Sequence, residues 1–451
     1  MNKALGIVIL AGVTLLLHAY VGVWSGPPRD DESGYLRYAT SFWTFALEGN
    51  QHDPKDALPF WWPPGAPFIL WCLRSLGLES VESLRMAMHA VAALIPPLTW
   101  LWARTLLPAP WAFLAGVLCA LDPYVARESG MVQSDLLFVL ACLGLYRLPL
   151  AGRTGWGCFR LGLILGLMGL LRTAVVFFVP FVVWELWRLS HLPRGPVAGR
   201  PFGAREDAPC RDGHLPAPPL VHQSSSVGAH GNAPARIKGI VFLMMGVVLG
   251  LSPLLIRNYL LTDRVFLTKV SGFVLVANNA PFHLEEGWTV PGMGLRRAVT
   301  LHPNTCGLVD TRHAATLPAL ERDDYYASQA RDFMAKHPSM WWINAYHRVL
   351  AMFHLYPPSG PEDAGGLRIL VLVGFTILVA LGLVGLITTW RDERFAWCRV
   401  AWGGVTLLAF CTMVQMRYRF PLHPAIFILA VVGWRSLLTS GPAPSGRSAP
   451  R

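Results

Sequence analysis

Three consecutive carboxylates, Asp30-Asp31-Glu32, follow Arg29 just after the first long apolar run of this 451-residue chain. Like charges held this close repel one another, which can raise the pKa of one toward general-base use. A solvated acidic turn capping the next helix is the plainer reading, because a helix N-terminus favours negative charge. A second acidic position, Asp135, follows Ser134 as another apolar run begins. There it serves either as a helix N-cap or as part of a site. Between these two positions lies Trp61-Trp62-Pro63-Pro64-Gly65-Ala66-Pro67, a rigid turn that also suits an interfacial aromatic belt.

The elements that must position these groups are membrane helices. The chain is 53% hydrophobic and 14% charged, against roughly 25% charged in a soluble domain. That excludes disorder, collagen, a coiled coil and a single soluble domain, which would lack polar groups to cover its surface. The formal charge of +11 invites a nucleic-acid partner, but the basic residues are scattered and no basic helix or zinc-finger spacing is present, so none is expected. Eight cysteines show no C-x-x-C pair, which argues against a disulfide framework or a zinc site.

Lys3 precedes an apolar run from Leu5 to Trp24 with no small-x-small cleavage site after it, so the N-terminus reads as cytoplasmic. The run from Leu161 to Trp187 has 27 residues, or ~40 Å as one helix, too long for one upright span. Arg172 sits near its middle, where an arginine at mid-bilayer is costly. Splitting the run there puts Arg172 at an outer turn and gives about ten transmembrane helices, an all-α polytopic membrane protein with both ends cytoplasmic. Arg147, Arg153, Arg160, Arg391 and Arg394 then mark cytoplasmic loops.

The domains follow. Residues 1–190 form an N-terminal transmembrane module with its first outer loop at 25–83. Residues 191–236 form a disordered cytoplasmic insert, since 14 of its 46 residues are Pro or Gly. A helix at 237–260 leads to an extracytoplasmic segment at 261–367, C-terminal helices occupy 368–440, and 441–451 is a disordered tail. Within the outer segment an amphipathic stretch from Tyr326 to Phe353 either lies flat at the interface or packs on a small soluble domain.

The order Asp31-Glu32-x-x-Tyr35-x-x-x-Ala39, a Pro-Pro-Gly turn, Ser134-Asp135-Leu136-Leu137, Gly169-Leu-Leu-Arg172, Ile256-Arg257-Asn258-Tyr259, Asn278-Asn279 and Arg417-Tyr418-Arg419-Phe420-Pro421 resembles the polyprenyl-phosphate-sugar-dependent glycosyltransferases. That superfamily includes the protein O-mannosyltransferases and the lipid A aminoarabinose transferases and shares the C-type glycosyltransferase fold. The resemblance runs from Leu5 to about Leu438, the insert excepted.

It implies that Asp31 is the essential acidic residue, taking the proton of an acceptor hydroxyl, with Glu32 beside it. Asp135 matches the second-loop acidic position, orienting the acceptor or holding Asp31. Arg172, Arg257, Arg417 and Arg419 suit bidentate phosphate contact, with snorkelling to lipid headgroups the role expected of at least two of them. Tyr35, Asn258 and Asn279 join them as substrate-binding positions.

The implied partners are a polyprenyl-phosphate sugar donor, an envelope glycan, lipid or protein acceptor, and the bilayer. The implied place is the cell inner membrane, with the site facing the periplasm or exterior. A divalent cation, Mg²⁺ or Mn²⁺, is an open question, with Asp31, Glu32 and Asp135 as the ligands if one is bound. One departure matters. Protein O-mannosyltransferases carry a Ser-Arg pair where this chain has Ser129-Gly130, which turns the expectation from protein mannosylation toward lipid A, other envelope glycans or a lipid carrier. A transporter or flippase, or an envelope-polysaccharide polymerase or ligase, are the rival classes. No internal repeat of the kind transporters show is visible.

Overall fold

The computed structural model describes residues 3–21, 27–28, 31–48, 58–150, 155–191, 233–269, 271–279, 309–353, 366–412 and 416–439. Among them every regular element is a helix. The chain opens with α1 (Lys3–Val21) and four short helices, α2 (Asp31–Thr40), α3 (Phe42–Leu47), α4 (Leu58–Trp61) and α5 (Gly65–Ser75). Then come α6 (Val81–Ala103), α7 (Ala109–Ala120), α8 (Pro123–Ser129), α9 (Ser134–Tyr146), α10 (Gly155–Met168), α11 (Val179–His191) and α12 (Ala233–Thr262). A second group of short and medium helices follows, α13 (Ser271–Asn279), α14 (Thr311–Thr316), α15 (Ala319–Lys336) and α16 (Pro338–Phe353). The chain closes with α17 (Gly366–Thr388), α18 (Ala396–Cys411) and α19 (His423–Thr439).

Four segments are long and apolar enough to cross a membrane: Val81–Ala103, Thr173–His191, Ile237–Thr262 and Tyr418–Thr439. Lys3–Leu17, Ala109–Ala120, Ser134–Tyr146, Gly155–Met168 and Val373–Thr388 are apolar but shorter. A helical membrane architecture is thus borne out, while four described helices rather than ten have the length and hydropathy of a full span. The shortfall is geometric, because a 14-residue helix such as α10 is ~21 Å long against ~30 Å of hydrocarbon. One side of α12 leaves Val241, Met244, Met245, Val248 and Leu249 exposed, a contiguous apolar face suited to lipid.

The apolar run from Leu161 to Trp187 is interrupted as expected. α10 ends at Met168, Arg172 is extended at φ −150° and ψ 124°, and a 3₁₀ turn over Thr173–Phe177 leads into α11. Pro180 sits in the first turn of α11, where its missing N–H costs no hydrogen bond. α10 packs on α12 through two facing small-residue pairs, Gly162 with Gly166 and Gly246 with Gly250. A Cβ on Gly162 would lie 2.0 Å from the Leu243 carbonyl oxygen, and one on Gly246 would lie 2.2 Å from that of Phe159. Only glycine lets these backbones approach so closely, as in membrane helix pairs generally.

Contacts group the helix ends into two sets. At one end Tyr35 meets Ser134, Gly65 meets Leu170, Lys269 meets Phe60 and Asp122 meets His423. At the other, the Trp397 indole donates to the Leu148 carbonyl at 2.6 Å, and Arg399 pairs with buried Glu185 and donates to the carbonyls of Thr389 and Asp392. These are the groupings that the chain order requires if successive apolar helices run back and forth.

The amphipathic stretch after Tyr326 is two helices, α15 and α16, divided at His337. α15 packs on α13, where the Asp323 carboxylate accepts the N–H of Phe273 at 3.0 Å and so caps the start of that helix. Burial pushes the Asp323 carboxyl up, against the pull of those backbone hydrogen bonds and of Lys269. α16 sets Trp341 and Trp342 against Phe410 of α18 while Trp342 and Tyr346 stay exposed. The insert expected at 191–236, apart from its two ends, and the tail at 441–451 lie outside the described residues.

Candidate functional site

Asp31 opens α2 and Tyr35 lies one turn on, so the two share a helix face. Tyr35 is buried, and its hydroxyl sits 2.8 Å from Oγ of Ser134, the first residue of α9. Trp62 covers the Tyr35 ring at 5.1 Å between centroids. Asp135, next along α9, is 4% exposed, and its carboxylate pairs with the Arg172 guanidinium. Gln133 is the N-cap of α9 and makes no side-chain cap bond, so Asp135 is committed to the ion pair and not to capping. The first turn of a helix further favours its negative charge.

Arg172 reaches Asp135 because α10 breaks four residues earlier. Its guanidinium also stacks on the Tyr418 ring, 4.7 Å from the centroid. The break is braced from the first loop. The Gly65 N–H donates to the Leu170 carbonyl at 2.7 Å, so close that a Cβ at position 65 would lie 2.5 Å from that oxygen. The Pro-Pro-Gly turn, with the neighbouring Trp62 on Tyr35, is therefore a strut between loop and helix break. Beside the pair runs a crevice lined by Asp135, Arg172, Ala174, Phe178, Tyr418 and Pro421.

Burial pushes the Tyr35 phenol well above its ordinary value of 10.0. The Arg172 charge and the bond to Ser134 pull it back, while the charges of Asp135 and Asp31 raise it. Three charged groups from three elements therefore act on one phenol. Chemically the arrangement offers a part-buried carboxylate, a buried hydroxyl pair and a carboxylate-held guanidinium beside an apolar crevice.

Glu32 does not join them. Its two carboxylate oxygens accept from Arg85 at 2.9 and 2.7 Å, one also accepts the Val132 N–H at 3.0 Å, and both side chains are fully buried. Glu32 is a brace between α2, α6 and the strand of chain leading into α9, not a second base. The carboxylates suggested for a divalent cation are accordingly directed apart, Glu32 to Arg85 and Asp135 to Arg172. Among the described residues no three His, Cys, Asp or Glu side chains gather, so the donor set does not fit such an ion.

The arginines divide likewise. Arg257 donates Nε to the Ala46 carbonyl at 2.9 Å and another nitrogen to that of Phe45, closing the C-terminus of α3, and contacts Asn258 Oδ1 at 2.8 Å. Asn258 is 1% exposed and holds the carbonyls of Phe266 and Leu267. Arg419 is fully buried. Neither arginine lines the crevice: carbonyls at the end of α3 take donors of Arg257, and the His423 ring and the Met352 carbonyl take those of Arg419. The side chains of Arg417 and Asn279 lie outside the described residues, although their backbones lie at the start of the 3₁₀ turn over Met416–Leu422 and at the end of α13 respectively.

Three contributors escaped the sequence reading. Tyr418 is visible in the sequence only as a motif position, Arg85 lies inside an apolar run, and His423 stands near the start of another. The visible signal was charge, since an ionisable residue within or beside a membrane helix is expected to have a partner.

The chain matches no protein-family model and no curated protein.

Proposed function

We propose that this chain is a ten-span glycosyltransferase of the C-type fold. It transfers a sugar from a polyprenyl-phosphate donor to an envelope acceptor, a hydroxyl of lipid A, a glycan or a protein, on the outer face of the inner membrane. The observation that carries this reading is the gathering of Asp31, Asp135 and Arg172 around Tyr35, next to an apolar crevice.

In the proposed step Asp31 takes the proton of the acceptor hydroxyl. The acceptor oxygen bonds to the anomeric carbon from the face opposite the phosphate. The carbon–oxygen bond to phosphate breaks, and the phosphate leaves with the electron pair, inverting the sugar's configuration. Arg172 meets the charge that develops on the departing phosphate, and its ion pair with Asp135 keeps the guanidinium oriented before reaction, which is when electrostatic stabilisation is most effective. Tyr35 and Ser134 hold the first loop to α9, so base and cation keep their separation. Phe178 and Tyr418 give the small crevice beside the ion pair an apolar lining, which favours contact with lipid.

Mass spectrometry of envelope lipids and glycans from cells with and without the protein tests the reading. A sugar-bearing species lost with the protein and restored by it is the expected result. An unchanged envelope together with a changed distribution of lipid between leaflets overturns it in favour of a flippase.

A further inference from the structure

The 3₁₀ turn over Met416–Leu422 delivers Tyr418 to Arg172. It is irregular backbone in a buried setting, with Arg419, Phe420 and Leu422 at or below 1% exposure, and such backbone persists inside a membrane only where protein satisfies it. Two supports are visible. The Pro421 carbonyl accepts the hydroxyl of Tyr146, the last residue of α9, at 3.0 Å. On the other side Arg419, adjacent to Tyr418, ties the turn to four helices.

Arg419 Nε donates to His423 Nε2 at 3.1 Å and Nη1 donates to the Met352 carbonyl at 3.2 Å. Its guanidinium lies 4.2 Å from the Phe375 ring centroid and 4.9 Å from that of Tyr124. Arginine only donates, so Nε2 of His423 accepts and the imidazole proton sits on Nδ1. That proton faces Asp122 Oδ2 at 2.5 Å, while Asp122 Oδ1 accepts the Tyr124 N–H at 3.0 Å. A buried carboxylate and a buried guanidinium are thus joined through one imidazole, which balances their charges.

We propose that Asp122, His423 and Arg419 form a positioning network that sets Tyr418 against Arg172 and so fixes the guanidinium facing the donor phosphate. The inference rests on the transferase reading for the ligand and on geometry for the rest. None of the three is a catalytic residue. They act through Tyr418, and the Met352 carbonyl extends the network to the end of α16, so the second outer segment is mechanically tied to the site.

A double-mutant cycle on the full-length protein in nanodiscs tests this, with a sugar-free long-chain polyprenyl phosphate as the probe. His423→Ala and Tyr418→Ala each weaken probe binding about tenfold, and the double variant also weakens it about tenfold, because both remove the same contact. His423→Gln, which keeps a donor and an acceptor, restores binding, and Gly12→Ala, where a Cβ meets nothing within 4 Å, binds the probe as the wild type does. Losses that multiply to about a hundredfold, or no loss in His423→Ala, overturn the proposal. A ligand-free arm measures the thermal-stability coupling of Tyr418→Ala with Arg172→Ala, present with His423 and lost in His423→Ala or Asp122→Asn. If wild-type protein ignores the probe, the transferase reading fails, and unchanged coupling in the thermal arm then overturns the positioning role as well.

Discussion

The Glu32 carboxylate and the Arg85 guanidinium meet at two points, 2.7 and 2.9 Å, with both side chains withdrawn completely from solvent. The pair joins the first loop to a long apolar helix, and the Val132 N–H at 3.0 Å extends it to the chain before Asp135. Removing one partner of a buried pair leaves an uncompensated charge, which costs about 3–5 kcal/mol. Glu32→Gln is therefore expected to lower thermal stability sharply, with residual transfer falling in proportion to the folded fraction. The double variant Glu32→Leu, Arg85→Met recovers most of the loss and keeps only the cost of the stranded Val132 N–H, about 1–3 kcal/mol. Thermal melts of purified protein in detergent measure both.

Arg172 and Arg257 are expected to fail in different ways. Arg172 lines the crevice, whereas Arg257 closes the α3 carbonyls. Arg172→Lys keeps the charge but loses planar geometry. It raises KM for the lipid-linked donor and lowers kcat by about 10²–10³-fold if the guanidinium meets the leaving phosphate. Arg257→Lys lowers the melting temperature with KM unchanged. Steady-state kinetics beside a thermal melt separate the two.

Tyr35 supplies a pH dependence of known sign. Burial holds its folded pKa above the ordinary 10.0, so the proton is retained in the folded state after the unfolded chain has lost it. The stabilisation is complete below pH 10.0 and declines as pH rises toward the folded value. Transfer near neutral pH therefore shows no titration from this phenol. Chemical denaturation at rising alkaline pH shows a loss of stability that is smaller in Tyr35→Phe.

Gly246→Ala places a Cβ 2.2 Å from the Phe159 carbonyl oxygen and forces α10 and α12 apart. Overpacking of this kind costs about 1–3 kcal/mol or more. Gly144→Ala and Gly12→Ala, where nothing lies within 4 Å, are the controls and leave the melting temperature unchanged. Equal shifts in all three would mean that α10 and α12 do not depend on the close approach.

Legibility in the sequence followed the physical signal. Hydropathy identified the apolar helices, and the cost of a mid-bilayer arginine located the break at Arg172. Asp31, Tyr35 and Asp135 were legible as motif positions, and the Tyr35–Ser134 contact joins two of those motifs. Glu32, Arg257 and Arg419 misled because residue type reveals charge but not partner. Each is bound by a group far away in the chain, Glu32 by Arg85, Arg257 by Ala46 and Arg419 by Met352. Spacing along a single element cannot show that. The glycine pairs of α10 and α12 were readable as Gly-x-x-x-Gly but gained meaning only when the two helices met.

The most direct measurement of the central claim is transfer by Asp31→Asn in membranes supplied with a labelled polyprenyl-phosphate sugar. Asn keeps the size of Asp and removes the base. Transfer falls by about 10²–10⁴-fold while donor binding stays at the wild-type level. Full transfer by Asp31→Asn would contradict the account, because no base would then be needed at that position.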